Sequence, residues 1–431
     1  MGQWLKTNVT ERSFSVTYLR KLNKNMNTLI KNKQLGYLFL CNFSILFIGF
    51  GLFPVLPLYA AEFDASQSFI GIYLAITYIA ISIGSILAGQ FSERLPRKAV
   101  FIAAGLLGTP ALFLLGQARF LWQVVVLTAL IWFVGGIGLS ISNVLASLHT
   151  TSQTRGQAFS ILALASPLGA LMGGLVVGRT VEWGGYPLMF AVLTAIWLIW
   201  PIVALTRVQD PPVCTPLNAN VAQPLAAADR PGKVFLLLLL TVLLASMTVS
   251  VGRIGLSLAM KDQQFSAGDV STANAIGGLV TILVTLLIGT FSDRLGRKRV
   301  LVLGYLVAAV STALLMSAHQ LWQFWVVSSL VLASRGVISS MSPAYATDLL
   351  RRRFLGTALP LVGTMNWVSG VIGFAGAGYV LDAFGGRVLY GMAALVALIA
   401  AVILAVLPAS YRVQRTLPAA EAKEIMQTAG D

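Results

Sequence analysis

The stretch GQFSERLPRK (Gly89–Lys98) returns as GTFSDRLGRK (Gly289–Lys298), 200 positions further along the chain. The same offset carries Leu121-Trp122-Gln123 onto Leu321-Trp322-Gln323, Glu62 onto Asp262, Gly156 onto Gly356, Gly173 onto Gly373 and Gly185 onto Gly385. Chance matches a single motif; it does not hold one register across half of a 431-residue chain. An internal repeat organises every later reading of a sequence, and here it divides the chain into two related units.

Each copy is a series of long apolar runs. Charged residues make up 10% of the sequence and apolar ones 57%, whereas soluble domains are about 25% charged. Ala99–Gly116, Val124–Val144 and Val388–Pro408 contain no charge at all. About 20 helical residues cross a bilayer core, so runs of this length, repeated many times, point to membrane spans. Backbone groups in hydrocarbon must pair within a helix or around a closed barrel. A barrel shows short alternating segments; these runs are continuous, so helices are expected.

The expected fold is all-α, with twelve transmembrane helices over 35–60, 69–90, 99–117, 121–147, 156–178, 187–206, 234–259, 269–290, 299–317, 322–347, 356–379 and 387–408. These make two parallel-repeat six-helix halves, 35–206 and 234–408. Even helix numbers insert both copies with the same orientation, the arrangement of parallel transporter repeats. Residues 1–34 read as a polar, basic tail, too long and too polar for a secretory signal, and Met26 is a second candidate start. Residues 207–233 carry Pro211, Pro212, Pro216, Pro224 and Pro231 and read as a linker. A polar tail, 409–431, follows.

The formal charge of +15 is a matter of topology rather than of nucleic-acid binding. With both termini inside, Arg119, Arg179, Lys261 and Arg387 face outward, Arg253 and Arg335 lie within helices, and the remaining Lys and Arg face the cytoplasm. This is the positive-inside bias of a multi-pass inner-membrane protein. Cys41 and Cys214 are too few and too separated to form a framework, and His149 and His319 sit at opposite ends. No metal, no cofactor and no catalytic constellation are expected, and a phosphate-binding loop with Lys-Ser/Thr is absent.

The repeated ten-residue stretch resembles the signature loop of the major facilitator superfamily. The second copy, with Gly289, Asp293, Arg294, Gly296, Arg297 and Lys298, matches the pattern completely. The first, with Gly89, Glu93, Arg94, Arg97 and Lys98, has Pro96 where the pattern has Gly. Gly89 and Gly289 are expected to admit close helix approach, and the carboxylates to pair with bases or helix N-termini. The resemblance implies that these loops latch the inner side and switch conformation. The end of the first helix, GFGLFPVLPLYAAEF (Gly49–Phe63), looks like the drug-efflux members, with Pro54 and Pro57 as kinks. In the fifth, Pro167, Gly169, Gly173 and Gly174 are similar to an antiporter motif, except that Ala170 replaces its Pro; plain small-residue packing reads the same stripe. Trp132 stands where many such antiporters carry an arginine.

An ionisable group at membrane depth is a functional hypothesis by default. No Asp or Glu falls in the middle of an expected helix, so a coupling carboxylate would have to lie at a helix mouth, as Glu62 and Asp262 do. Arg253, about 9 Å of helix from the outer end at 1.5 Å per residue, could reach out to Asp262 or face a cavity. Arg335 lies deep. It either pairs with backbone carbonyls or meets an acidic group of a substrate. Asn42, Tyr73, Tyr78, Asn143, Asn274, Tyr345, Asn366 and Trp367 are further cavity candidates, with interhelical hydrogen bonding as the plain alternative for each.

The implied protein is a secondary transporter, working as a monomer in the lipid bilayer by alternating access. It would use a proton or other ion gradient to export drugs or other small organic molecules. An organic-anion carrier using Arg335 and Arg253, and a non-transporting sensor, are the rival readings.

Overall fold

A computed structural model describes residues 32–150, 154–210, 233–350 and 355–407. The tails and most of the linker therefore lie outside the described residues. Among the described residues, ten apolar helical segments are long enough to cross a membrane. Two of them, Gln157–Thr206 with 50 residues and Ala358–Val406 with 49, are too long for one crossing, since 20 residues already span about 30 Å. Each contains a glycine in the left-handed region, Gly185 (φ 68°) and Gly385 (φ 79°), again 200 apart. Broken there, the ten segments become twelve spans, the all-α fold the sequence implied.

In chain order α1 is Lys33–Gly51, followed by a short helix, Leu56–Ala61. Next come α2 (Gln67–Arg94), α3 (Arg97–Leu115) and α4 (Leu121–Leu148). α5 and α6 are the arms of one helical run on either side of Gly184–Gly185, built from Arg155–Ala163, Ala165–Trp197 and Ile199–Thr206. α7 is Lys233–Asp262, α8 Ala267–Leu295, α9 Arg297–Leu315 and α10 Leu321–Leu349. α11 and α12 are the arms of Leu355–Val406 around Gly385.

Local chemistry sets these boundaries, and it repeats with the sequence. Ser66 caps α2 by accepting from the Phe69 N–H. Ser266 caps α8 in a reciprocal box with Asp269, satisfying helix donors that would otherwise be orphaned. The Leu-Trp-Gln repeat has a similar use. Gln123 Oε1 accepts from the N–H groups of Arg119 and Phe120, and Gln323 Oε1 from those of His319 and Gln320. Turns before α2 and α8 place Asp64 (φ 55°) and Gln264 (φ 65°) in equivalent left-handed positions.

Two expectations are corrected. The first span does not run unbroken over 35–60: it stops at Gly51, and residues 52–55 form a turn before Pro57 restarts a helix. The signature stretches are mostly helix rather than loop. α2 continues to Arg94 and α8 to Leu295, and only Pro96 and Gly296 end them.

The surface fits a lipid setting. Ile79, Ile83 and Ile86 project from α2, and Leu279, Leu283 and Leu286 from the same places on α8, all more than 40% exposed. Such stripes at helical spacing suit hydrocarbon contact. Trp122 and Trp322 sit exposed at the starts of α4 and α10, where interfacial tryptophans are common.

Candidate functional site: a cavity between the halves

The two halves close on each other at the end opposite the signature stretches. A Cβ on Gly178 would come within 2.9 Å of Gly268 Cα, and one on Gly378 within 2.5 Å of the Gln67 carbonyl and 2.9 Å of Gly71 Cα. These are the α5–α8 and α11–α2 contacts, related by the repeat. Only glycine lets backbones approach so closely. The Ser68 N–H donates to Asp382 Oδ2 at 2.7 Å across this seam. Deeper in, Asn274 Nδ2 donates to the carbonyls of Phe50 (3.1 Å) and Ala170 (3.2 Å), joining α8 to α1 and α5.

Below this seal lies a cavity of about 630 Å³. Its first-half wall includes one face of α1 (Asn42, Ile45, Leu46, Gly49, Phe50), Phe53 from the turn after it, and one face of α4 (Ile131, Trp132, Gly135, Leu139, Asn143). Steps of three and four put each set on a single helix face. The second half contributes Arg253 of α7, Arg335 of α10 and Trp367 of α11. A smaller adjoining cavity of about 240 Å³ shares Tyr78 and these three residues and adds Ser246, Ser250, Ser339 and Asn366.

Both embedded arginines face this space. Arg253 Nη1 donates to the Tyr78 hydroxyl at 2.7 Å, and its guanidinium lies 3.7 Å from the Phe53 ring centroid. It does not reach out to Asp262. Arg335 rests on Phe50, 4.7 Å from the ring centroid, and the Arg253 guanidinium is 5.8 Å from the same point. The two charges are thus no farther apart than the sum of those distances. Their repulsion is of order 1–2 kcal/mol at an effective dielectric near 20, offset in part by cation–π contact. The ion pairs described are Arg97–Asp210 and Arg297–Asp348, so neither cavity arginine is neutralised by a carboxylate among the described residues. No Asp, Glu or His lines the cavity walls described above.

The other candidates divide by surroundings. Asn42 is 3% exposed and lines the cavity, and its Oδ1 is buried without a hydrogen-bond partner. Asn143 is exposed nearer the signature end. Asn366 accepts from Ser246 Oγ at 2.9 Å, and Trp367 packs on Tyr78 with centroids 5.6 Å apart. Tyr73 is fully buried between α2 and α4, donating to Thr128 Oγ1, and Tyr345 is buried in α10. With Asn274 they stand away from the cavity walls described above, and Tyr73 and Asn274 make hydrogen bonds between helices. Glu62 and Asp262 are exposed at the far ends of the first and seventh spans. Sequence reading passed over Phe53, Ser246 and Ser250. The repeat register gave a signal for Phe53, which is the counterpart of Arg253.

The fifth-helix glycines are packing positions. A Cβ on Gly169 would lie 2.8 Å from Leu46 C, one on Gly173 2.6 Å from Gly51 Cα, and one on Gly174 2.5 Å from the Ser271 carbonyl. Pro167 lines a smaller adjoining cavity with Arg335. In the signature stretches, Arg97 reaches Asp210 at 4.0 Å, and the Lys98 N–H donates to the same carboxylate. Arg297 bonds Asp348 at 2.8 Å, along with the Ala344 carbonyl, and Lys298 donates to the carbonyls of Ala405 and Leu407. Arg297 and Lys298 are held within their own half, Arg97 is held by the start of the linker, and Arg94 and Arg294 are exposed. Gly89 has open space rather than the expected close approach. The side chains of Glu93 and Asp293, and the surroundings of Gly289, lie outside what the structure describes.

Known proteins share this architecture. The chain is 25% identical over 311 residues to the multidrug resistance protein MdtG of Citrobacter koseri, covering 69% of this chain and 75% of that one. It is 25% identical over 313 residues to MdtG of Serratia proteamaculans, covering 69% and 74%. Among solved structures, the nucleoside transporter NupG superposes with a TM-score of 0.71 at 15% identity, over 86% of this chain and 98% of that one. A bacterial homologue of the human lysosomal transporter Spinster, inward-facing and occupied, gives 0.68 at 13% identity, over 86% and 95%. The solved structures speak for the fold alone. The family model of the Major Facilitator Superfamily matches twice, at residues 38–260 and 238–427, once for each copy of the repeat: the chain belongs to the major facilitator superfamily, as a multi-pass inner-membrane transporter resembling its drug-efflux branch.

Proposed function

We propose that this protein exports small amphipathic organic molecules by alternating access, as a monomer driven by the proton gradient. The observation that carries the reading is the cavity walled by both halves, closed by glycine contacts at the end opposite the signature stretches and without such contacts at the other end among the described residues. In this reading the signature end is cytoplasmic, as the basic residues near it favour, and both termini lie there. The six-helix halves, 35–206 and 234–408 joined by 207–233, rock about the cavity. Arg97, Arg297 and their neighbours exchange their present partners when that end closes. Glu62 and Asp262, at the mouths of the first and seventh spans, are the candidate coupling carboxylates. The efflux direction is supported by the likeness to proteins named for multidrug resistance.

Reconstitution in proteoliposomes with an imposed pH gradient tests this. Addition of a transported amphipathic dye is expected to release protons in the direction opposite to the dye. Dye flux that neither moves protons nor responds to the gradient would remove proton coupling. A panel of dyes that bind without flux would remove transport itself.

A further inference from the structure

We propose that the cavity receives the acidic group of an amphipathic organic monoanion, engaged by Arg335, with Arg253 as a fixed second charge. This rests on the reading above only in taking the cavity as the substrate site.

The two arginines differ in what they still offer. Arg253 has donated to Tyr78, and one face of its guanidinium is covered by Phe53 at 3.7 Å. Arg335 lies against Phe50 and forms no described hydrogen bond or ion pair. A guanidinium carries five N–H donors in a planar fork that matches a carboxylate, sulfonate or phosphonate. Those donors point into a space lined by no acidic side chain among the described residues. A cation entering it meets two like charges, and an anion relieves their mutual repulsion.

Facing Arg335 across the cavity is an apolar wall that includes Ile45, Leu46, Trp132, Leu139 and Phe159. It suits a flat or branched hydrophobic body. At the far end of that wall stands Asn42, 3% exposed. Asn42 and Phe50 are eight residues apart on α1, about 12 Å at 1.5 Å per residue. The ligand this space fits has an anionic head at the Phe50 level and an apolar body of up to about 12 Å.

The test uses three isosteric probes: 2-naphthoxyacetate, 2-naphthoxyacetamide and 2-(2-naphthoxy)ethylammonium. Each is titrated by calorimetry into the full chain in zwitterionic nanodiscs, with empty nanodiscs subtracted. The carboxylate is expected to bind about 10- to 100-fold more tightly than the amide, the range of one charge-assisted hydrogen-bond pair, and the ammonium most weakly. Arg335→Gln should shrink the carboxylate preference to the remnant that Arg253 alone supplies while keeping the amide affinity, which reports an intact cavity. Arg335→Lys should keep more of the preference. Equal affinity of wild-type protein for all three probes overturns the proposal without need of any variant, and so does a charge preference undiminished in R335Q. Flux of the same probes in proteoliposomes separates the two readings. If the ammonium or amide is carried and the carboxylate is not, the anion site falls and transport stands. If the carboxylate binds selectively but none is carried, the anion site stands and transport falls.

Discussion

Phe53 and Arg253 occupy equivalent places in the two halves, as do Gly135 and Arg335, Tyr78 and Gly278, and Asn274 and Leu74. The backbone around these pairs is shared. Gly173 meets the Phe47 carbonyl, and Gly373 meets that of Met247. Gly278 packs on Ala170, whereas its counterpart Tyr78 lies over Gly370, the counterpart of Ala170. The repeat thus preserves how helices pack and varies what they present to the cavity. Both halves present rings and small polar groups, but the two charges come from the second half alone. Tyr78 joins the halves, since it takes the Arg253 hydrogen bond from the opposite one. Duplication explains the scaffold, and departure from duplication marks the site.

That contrast can be tested by substitution within equivalent pairs. The largest effect is expected at Gly173, where a Cβ would meet backbone at 2.6 Å. Gly173→Val should destabilise by about 3 kcal/mol or more through overpacking, read as loss of a monodisperse species in detergent. Gly373→Val, limited first by the Ser250 side chain at 2.9 Å, should cost less. Gly376→Ala, with nothing within 4 Å, should stay within about 0.5 kcal/mol of wild type.

Next come the turns that end α2 and α8. Gly296 has φ 87°, whereas Pro96 has φ −55°. Gly296→Ala should lower stability by about 1–3 kcal/mol through backbone strain, and Pro96→Ala by less than about 1 kcal/mol. Thermal melts of the two variants side by side decide this. Equal shifts would mean that the two turns are mechanically alike despite their geometry.

Asn274→Leu copies the first-half residue into the second and removes two hydrogen bonds across the seal. It should weaken the seal by about 1–2 kcal/mol. In a Cys41- and Cys214-free background, a cysteine at Ser68 should then label about 5- to 30-fold faster. The smallest effect is at the basic residues after the turns. Arg297, 2.8 Å from Asp348 but 39% exposed, should lose up to about 1 kcal/mol on change to Ala. Arg97, at 4.0 Å from Asp210, should lose close to nothing. Melts at low and high salt measure the difference.

Much of this was legible beforehand. The repeat and the apolar runs gave the number of spans, and the matching Leu-Trp-Gln stretches fall where the structure starts α4 and α10. The signature stretch was legible as a pattern but not as a shape. A conformation-dependent contact such as the one expected at Gly89 leaves no trace in one sequence. Tyr73 and Tyr78 lie on the same helix, and which of them faces the cavity depends on neighbours the sequence does not order. Arg253 is different. At 100° per residue, Asp262 is nine residues away and on the opposite face of α7, so periodicity alone argued against that pairing and for the cavity. Arg335 could not be placed from α10 alone, because its resting surface, Phe50, belongs to the other half.

Phe50 holds two loads on a single residue. Its ring carries both guanidinium groups, while its carbonyl, a few bonds away, accepts from Asn274 at the seam. The helix ends one position later, at Gly51, where the chain turns before resuming. One residue thus bounds the cavity with its side chain and fastens the two halves together with its backbone.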